Sequence, residues 1–158
     1  FRSECLNASE PGEIVVSGDH VLKGYLHGRG DEETKFEVDG VRWHRTGDSG
    51  YLDDQGRLWL LGRAAARIND RRGKLYPFAV EVAAVSCPGV RKAALLNVNA
   101  SRLLALEPDK GQSMDLEDLK KSLQWAMIDE FRLVRVIPMD KRHNAKVDYT
   151  KLDSILKR

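Results

Sequence analysis

The sequence changes character near Gly62-Arg63, and this change restricts the possible folds more than any other feature. Before it, short apolar runs alternate with turns rich in Gly and Asp, which indicates strands joined by hairpins. After it, several stretches space their apolar residues three and four positions apart, as helices do, and runs of strand length separate them. We therefore predict an α+β fold, with a small β subdomain over residues 1–62 and a compact small domain of short sheets and about three helices over residues 63–158.

Local signals predict the individual elements. Alternating apolar residues flank Asp39-Gly40, a pair that favours a tight hairpin, and residues 27–34 are polar and Gly-rich, so we expect a loop there. The other predicted elements are a strand over 13–17, a hairpin that turns at 53–56, a polar turn over 69–73, a helix from Pro77 to about Ser86, strands over 93–98 and 102–107, a helix capped by Asp115 and running to about Glu130, a strand over 133–137 and a last helix capped by Asp148.

Composition excludes several classes of protein. The chain has 158 residues with 26 Lys plus Arg and 24 Asp plus Glu, so a net charge of +2 argues against a basic nucleic-acid-binding arm. No apolar run approaches the roughly 20 residues that a membrane-spanning helix needs. The only cysteines, Cys5 and Cys87, lie far apart, so we expect no disulfide framework and a reducing cytoplasm. The chain begins Phe1-Arg2 without an initiator Met, and we expect it to be a piece of a longer protein.

Most patterns of catalytic and metal sites are absent from the sequence. The four histidines, His20, His27, His44 and His143, have no metal-ligand spacing with one another or with the cysteines. No Gly-x-x-x-x-Gly-Lys loop, Gly-x-Ser-x-Gly elbow or Gly-x-Gly-x-x-Gly turn occurs. The sequence alone therefore supports neither a hydrolytic nucleophile nor one of the common nucleotide-binding loops, and we assign no metal ligand.

Two polar clusters remain as candidate sites. Residues 43–51 place Asp48 at a Gly-flanked turn, where a carboxylate can accept hydrogen bonds from a vicinal diol. Residues 138–148 form a cationic loop before a helix, from which Lys146 could reach a phosphate or a carboxylate. Both also have an ordinary interpretation, because Asp48 could merely satisfy turn amides and the second cluster could be a solvated basic loop.

The two clusters occur in order with other matches, and together they resemble the C-terminal part of the adenylate-forming enzymes, which include acyl-CoA synthetases, peptide-synthetase adenylation domains and firefly luciferase. No single match is specific, but the ordered set spans essentially the whole chain. The matching segments are Gly12-Glu13-Ile14-Val15-Val16-Ser17-Gly18 with Gly24-Tyr25, Trp43-His44-Arg45-Thr46-Gly47-Asp48, Gly50-Tyr51 to Gly56, Leu61-Gly62-Arg63, Gly73, Pro77, Val80-Glu81, Pro88, Val90, and Asn144-Ala145-Lys146-Val147-Asp148 with Leu152.

The resemblance implies an ATP-dependent ligase that makes an acyl-adenylate from a carboxylic acid. It implies that Asp48 binds the ribose hydroxyls of ATP, that Arg63 lies beside the ribose or phosphate, and that Lys146 contacts the substrate carboxylate and the α-phosphate. Residues 1–62 would be the last β subdomain of a large ATP-binding domain, and residues 63–158 a mobile small domain with its hinge at Arg63 and Ala65. Mg²⁺ would accompany ATP, but its ligand, the phosphate loop and the acyl pocket would lie in a missing N-terminal domain. We therefore expect the isolated chain to be inactive.

Several positions depart from the family pattern. The hinge position that is usually Asp or Lys is Ala65, the Gly before the lysine is Ala145, the Arg after Val-Asp is Tyr149, and a usual Glu is Ala79. Because of Ala65, three alternatives stay open for the second half-reaction: transfer to coenzyme A, transfer to a carrier protein and closure of a β-lactone ring. Several short sequence motifs are similar to those of the olefin β-lactone synthetase branch. The alternatives are a catalytically inactive interaction module that keeps the fold, and a plain α+β domain that matches by chance.

Overall fold

The computed structural model describes residues 6–28, 30–140 and 147–157, and the chain divides into two compact units, Phe1–Ala65 and Ala66–Arg158. The strands are β1 (Gly12–Ser17), β2 (Lys35–Val38), β3 (Val41–Leu52), β4 (Leu58–Arg63), β5 (Ile68–Asp70), β6 (Gly73–Leu75), β7 (Val90–Val98), β8 (Ser101–Pro108) and β9 (Glu130–Leu133). The α-helices are α1 (Asp31–Thr34), α2 (Pro77–Val85), α3 (Leu116–Ser122) and α4 (Tyr149–Leu156), and 3₁₀ helices cover Leu26–Gly28, Ala64–Ala66 and Gln124–Ala126. The predicted α+β class is confirmed. No helix in the described ranges is long and apolar enough to span a membrane.

The first unit is built around β3, a 12-residue strand that pairs antiparallel with β1, β2 and β4. The predicted hairpin between β2 and β3 is confirmed, since Asp39 and Gly40 have φ values of 52° and 75°. Positive φ at both central residues is the geometry of a type I′ turn, whose twist matches that of the flanking strands. The predicted hairpin at 53–56 joins β3 to β4.

The prediction of a loop over residues 27–34 is wrong in part, because Asp31–Thr34 form the short helix α1. The carboxylate of Asp31 accepts a hydrogen bond from the Tyr25 backbone N–H at 2.9 Å. The hydroxyl and the backbone N–H of Thr34 both donate to the carbonyl of Gly30. These short-range bonds close a single turn that has no buried residue, which is why the apolar periodicity of the sequence does not reveal it.

The second unit packs helices on both faces of a three-stranded sheet in the order β7-β8-β9, where β7 and β8 are antiparallel and β8 and β9 are parallel. Successive side chains of β8 point to opposite faces, so this strand contributes to two separate cores. The first core combines β8 with α2 and α3, and its buried members include Leu104, Leu106, Val80, Ala84 and Leu119. The second combines β8 with α4, and its buried members include Leu103, Ala105, Ile137, Leu152 and Leu156.

The predicted helices that begin at Pro77 and after Asp148 are confirmed as α2 and α4, and the predicted strands over 93–98 and 102–107 lie within β7 and β8. The prediction of a helix from Asp115 to about Glu130 is wrong, because α3 ends at Ser122 and a 3₁₀ turn follows. The predicted strand over 133–137 is wrong in its position, since β9 is Glu130–Leu133.

Long-range contacts explain why the helical path ends before Glu130. Arg102 Nη1 donates to the carbonyl of Ala126 at 2.7 Å, and the Arg102 backbone N–H donates to the Asp129 carboxylate at 2.7 Å. Met127 lies between these two contacts with a φ of 49°, which ends the helical path. Arg102 comes from β8, 24 residues before Ala126, so no local pattern could have indicated these contacts.

Two buried charged residues occupy the ends of β8. At one end, Arg102 forms an ion pair with Asp70 of the β5–β6 hairpin. At the other end, Glu107 accepts hydrogen bonds from the exposed Arg91 at 2.7 Å and from the Ile137 backbone N–H at 2.7 Å. The charges at both ends of the strand therefore have partners from other elements, as buried charges require.

Candidate functional site

Asp48 and Arg63 face each other across β3 and β4, where they are paired in the antiparallel register. Arg63 Nη1 lies 3.2 Å from Asp48 Oδ1, and about a third of each side chain is exposed, 38% for Arg63 and 35% for Asp48. Both sequence-predicted residues of the first unit therefore belong to one partly open ion pair. The sequence alone did not predict that these two side chains would be in contact. The contact depends on the pairing of β3 with β4, and the register of that pairing follows from the hairpin at 53–56.

A bulge in β3 holds Asp48 in place. The register of β1 against β3 changes from Glu13 opposite Ser49 to Val15 opposite Arg45, so residues 46–48 oppose only residue 14. The Thr46 hydroxyl donates to the carbonyl of residue 14 at 2.8 Å and accepts from the Asp48 backbone N–H at 3.1 Å. Bulges re-aim side chains at the points where regular pairing is interrupted. Thr46 therefore determines the backbone position from which the Asp48 carboxylate projects.

Gly47 lets the Arg63 guanidinium approach this bulge closely. Gly47 has a φ of +71°, and a Cβ at this position would lie 3.3 Å from Arg63 Nη1. The same Nη1 donates to the Thr46 carbonyl at 3.0 Å. Glycine at position 47 therefore meets two requirements, a left-handed backbone and a close neighbour.

The Asp48–Arg63 pair places a hydrogen-bond acceptor beside a charged donor. A carboxylate accepts hydrogen bonds from two vicinal hydroxyls, and a guanidinium donates in a planar fork to a phosphate or to a ribose oxygen. Because each side chain is about one-third exposed, both retain surface for such a ligand while their mutual contact fixes their spacing. In the described residues, no group of three or more His, Cys, Asp or Glu side chains could hold a metal ion.

The structure describes one of the two other sequence-predicted residues. Ala65 is part of the 3₁₀ helix Ala64–Ala66, and the two units divide immediately after it. Lys146 lies outside the described residues. The segments on either side of 141–146 are described: Met139 and Val147 form an isolated antiparallel bridge, and the Asp148 backbone N–H donates to the Pro138 carbonyl at 2.9 Å.

Sequence reasoning missed a partly buried contact between α2 and α4. Glu81 Oε1 accepts hydrogen bonds from the Leu95 backbone N–H at 2.9 Å and from the Tyr149 hydroxyl at 2.8 Å. Burial raises the pKa of Glu81 above its usual value, although the two hydrogen bonds oppose the shift. Burial, together with the nearby Glu81 carboxylate, also raises the pKa of Tyr149. The sequence feature that could have drawn attention to this contact is Tyr149, which stands where the family pattern has an Arg.

Comparison with known proteins gives two informative relatives, although no family model matches the chain. An olefin beta-lactone synthetase from Stenotrophomonas maltophilia is 33% identical over 169 residues, which covers 96% of this chain and 30% of that protein. A 2-succinylbenzoate–CoA ligase from a Geobacillus species is 35% identical over 120 residues, which covers 73% of this chain and 24% of that protein. The chain therefore spans less than a third of the length of either relative.

A solved structure gives the same result for the fold. The ATP-bound MatB of Rhodopseudomonas palustris superimposes with a TM-score of 0.76 and 26% sequence identity, over 96% of this chain and 31% of MatB. The sequence relatives and the structural match agree with each other and with the ordered motifs of the sequence. The chain belongs to the adenylate-forming enzymes and corresponds to their C-terminal part.

Proposed function

We propose that this chain is the C-terminal part of an ATP-dependent, AMP-forming ligase that activates a carboxylic acid as its acyl-adenylate. The observation that carries the proposal is the Asp48–Arg63 pair, held at a bulge with its two charged groups 3.2 Å apart and partly open. The fold similarity to a protein solved with ATP bound supports a nucleotide as the ligand of this pair. For the second half-reaction, the three alternatives given above are transfer to coenzyme A, transfer to a carrier protein and closure of a β-lactone ring.

The proposed reaction assigns a separate role to each residue. Asp48 accepts hydrogen bonds from the ribose hydroxyls, and Arg63 lies beside the ribose or the phosphate. An oxygen of the substrate carboxylate attacks the α-phosphorus, the new P–O bond forms, and the bond to pyrophosphate breaks. Two anions approach each other in this step, so the Lys146 ammonium contributes most where charge develops and water is excluded. Mg²⁺ would accompany ATP, and we assign no ligand for it among the described residues.

The proposal divides the chain between two working parts. Residues 1–62 form the last β subdomain of a large domain, which binds the substrates together with an N-terminal part of the same protein. Residues 63–158 form a small domain that brings Lys146 to the reaction, with its joint at Arg63 and Ala65. Domain closure of this kind excludes water and completes a site at the same moment. We further propose a cytoplasmic enzyme, in keeping with the free thiol of Cys87.

ATP–pyrophosphate exchange in the full-length protein, with a panel of carboxylic acids, tests this function. We expect exchange with at least one acid, and a loss on the order of 10²-fold or more for Lys146→Ala, the effect of removing one preorganised charge stabiliser. Asp48→Ala should mainly raise the KM for ATP, because it removes a contact made in both ground and transition states. The isolated chain should show no exchange.

Matched controls are available in the same two segments. Asp54→Ala removes a neighbouring exposed turn carboxylate, and Lys141→Ala removes a cation of the same loop sequence as Lys146. Both should retain the parent exchange rate. Normal exchange in Lys146→Ala with a loss in Lys141→Ala would contradict the assignment of the lysine. Absence of exchange with every acid, in a folded full-length protein, would favour the inactive interaction module instead.

A further inference from the structure

Helix α2 carries apolar side chains on the side that faces away from the core of the second unit. Val80 and Ala84 face the core and are buried. Three further apolar residues of the helix, Phe78, Val82 and Val85, are between 42% and 49% exposed. Spacings of four and three positions place these three on one side of the helix, and we call them the outer stripe of α2. The helix therefore presents an apolar surface both to the core and to solvent.

The charge distribution of α2 is the reverse of that of an ordinary surface helix. Such a helix turns its charged residues to water and its apolar stripe to the core. The only charged residue of α2 is Glu81, and its Oε1 accepts hydrogen bonds from the Tyr149 hydroxyl and from the Leu95 backbone N–H. Since Glu81 bonds to other elements of the unit, the outer side of α2 has no charged side chain. An uncharged helix face of this kind is typical of one that another surface covers.

Helix α3 packs on the same core and shows the usual distribution. It buries Leu119 in that core and exposes Glu117, Asp118, Lys120 and Lys121. Two ion pairs, Lys120–Glu117 and Lys121–Asp118, lie along its exposed side. The outer side of α3 is thus suited to water, whereas the outer stripe of α2 is suited to an apolar partner.

The size of the outer stripe indicates which partner fits it. A stable complex between separate proteins usually buries about 800 Å² on each partner, from about 20–30 residues. Three residues that are each less than half exposed fall far short of that area. A patch this small can hold a partner that is already tethered, because a short linker keeps the effective concentration in the millimolar range. The relatives described above contain such a partner, since this chain covers only 30% and 24% of them and corresponds to their C-terminal part.

We propose that the outer stripe of α2 is a docking surface for the N-terminal part of the same protein. This inference rests on the proposed function, which supplies that partner, and it goes further by naming the face of the small domain that meets it. The partner surface is apolar, because a charge placed against Phe78, Val82 and Val85 would be buried without a counter-charge. A small contact also separates readily, so the stripe can be covered in one orientation of the mobile domain and free in another.

Photo-crosslinking in the full-length protein tests the proposal. Phe78→p-benzoylphenylalanine keeps an aromatic side chain in the stripe and adds a photoreactive benzophenone. After irradiation, we expect mass spectrometry to find crosslinked peptides that join residue 78 to the N-terminal part of the same molecule. The matched control is Lys121→p-benzoylphenylalanine, which places the same group on the charged, 78% exposed side of α3. Its yield should be lower, on the order of tenfold, because a solvated face has no docked partner.

The competing occupants give different products in the same experiment. A mixture of ordinary and isotope-labelled protein identifies crosslinks between two molecules, which would assign the stripe to a second copy and overturn the proposal. Crosslinks confined to residues 1–158, or a yield at residue 78 no higher than at residue 121, would overturn it as well. The crosslink does not require catalysis, so the two hypotheses fail separately. Crosslinking without ATP–pyrophosphate exchange on any acid counts against the proposed function alone, and exchange without crosslinking counts against this inference alone.

A charge placed in the stripe should prevent docking without changing the probe. In the protein that carries the probe at residue 78, Val82→Glu would bury an unpaired carboxylate on docking, so we expect the crosslink yield to fall on the order of tenfold. Val82→Leu keeps the stripe apolar and should retain the yield. Val82 is 49% exposed, so both variants should fold, and their circular dichroism spectra check this. An unchanged yield in a folded Val82→Glu protein, or an equal loss in both variants, would contradict the proposal.

Discussion

Arg102 and Asp70 form a two-point ion pair in which both side chains are almost completely buried. The Nε–Oδ2 and Nη2–Oδ1 distances are both 2.8 Å, and the side chains are 2% and 8% exposed. Arg72 pairs with Asp70 and also with Asp129, so the network connects the β5–β6 hairpin to the segment before β9. A guanidinium suits this place because its planar fork meets several acceptors at once.

Loss of the central cation of this network should destabilise the second unit. We expect Arg102→Met to lower the free energy of unfolding by about 3 kcal/mol, because it leaves the buried Asp70 carboxylate and the Ala126 carbonyl without this donor. Urea denaturation measures the change. Lys121→Met is the control, since Lys121 is 78% exposed in its pair with Asp118, and it should cause no measurable loss. Equal stability of the two variants would contradict the structural role of Arg102.

The same network predicts that stability is lost in acid. Hydrogen bonds from Arg102 and Arg72 lower the pKa values of Asp70 and Asp129 to about 2, below their usual value near 4. A lowered native pKa stabilises the fold above the unfolded pKa, and this contribution disappears as the pH falls from about 4 towards 2.

Urea denaturation across this pH range should therefore show falling stability in the parent and a shallower fall in Asp70→Asn. Some acid dependence should persist in the variant, because the pKa of Asp53 in the first unit is also lowered to about 2. A steeper acid loss in Asp70→Asn than in the parent would show that the network does not act as described.

Gly47 offers a way to perturb the Asp48–Arg63 pair without touching either charge. Gly47→Ala should cost about 1 kcal/mol through its left-handed backbone and should also displace the Arg63 guanidinium. Gly56→Ala is a matched control, because Gly56 has a φ of +73° with nothing within 4 Å of a new Cβ. Both variants should lose similar stability in denaturation, but only Gly47→Ala should raise the KM for ATP in the full-length enzyme. An equal KM in the two variants would count against this site.

The N-terminus of α3 depends on one side chain. Asp115 Oδ1 accepts hydrogen bonds from the backbone N–H groups of Glu117 and Asp118 at 2.9 and 3.1 Å. Asp115→Ala should therefore lower the free energy of unfolding by about 1 kcal/mol, whereas Asp115→Asn, which keeps an accepting oxygen, should cost less. Thermal or urea unfolding compares the two. If the alanine variant is as stable as the asparagine variant, the cap contributes nothing.

The elements that the sequence predicts well are those with local causes. Asp39-Gly40 adopts the turn that its residue types favour, and Pro77 begins α2 because its fixed φ and missing N–H suit the first helical position. Asp148 caps α4 in the same local way. In contrast, the end of the 3₁₀ turn after α3 and the start of β9 depend on Arg102 and Asp129, which are far apart in sequence.

In the candidate site as well, the sequence predicts individual residues but not the contacts between distant parts of the chain. The resemblance to a known family predicted Asp48 and Arg63 as site residues, and the structure supplies their contact, the bulge at Thr46 and the close approach at Gly47. Their roles with ATP remain predictions. The bond between Glu81 and Tyr149 joins residues 68 positions apart, and no spacing rule relates them.

The buried charges at the two ends of β8 have a consequence for how the strand is aligned as the protein folds. The four residues from Leu103 to Leu106 are all apolar and buried, so sliding the strand by one position would exchange one apolar side chain for another on each face. Hydrophobicity alone barely distinguishes the correct alignment from its neighbours. Such a slip would, however, separate Arg102 from Asp70 and Glu107 from the Ile137 backbone N–H, leaving charges buried without partners. The two charged ends thus penalise misaligned states, and fold accuracy in this sheet depends on polar groups within an apolar core.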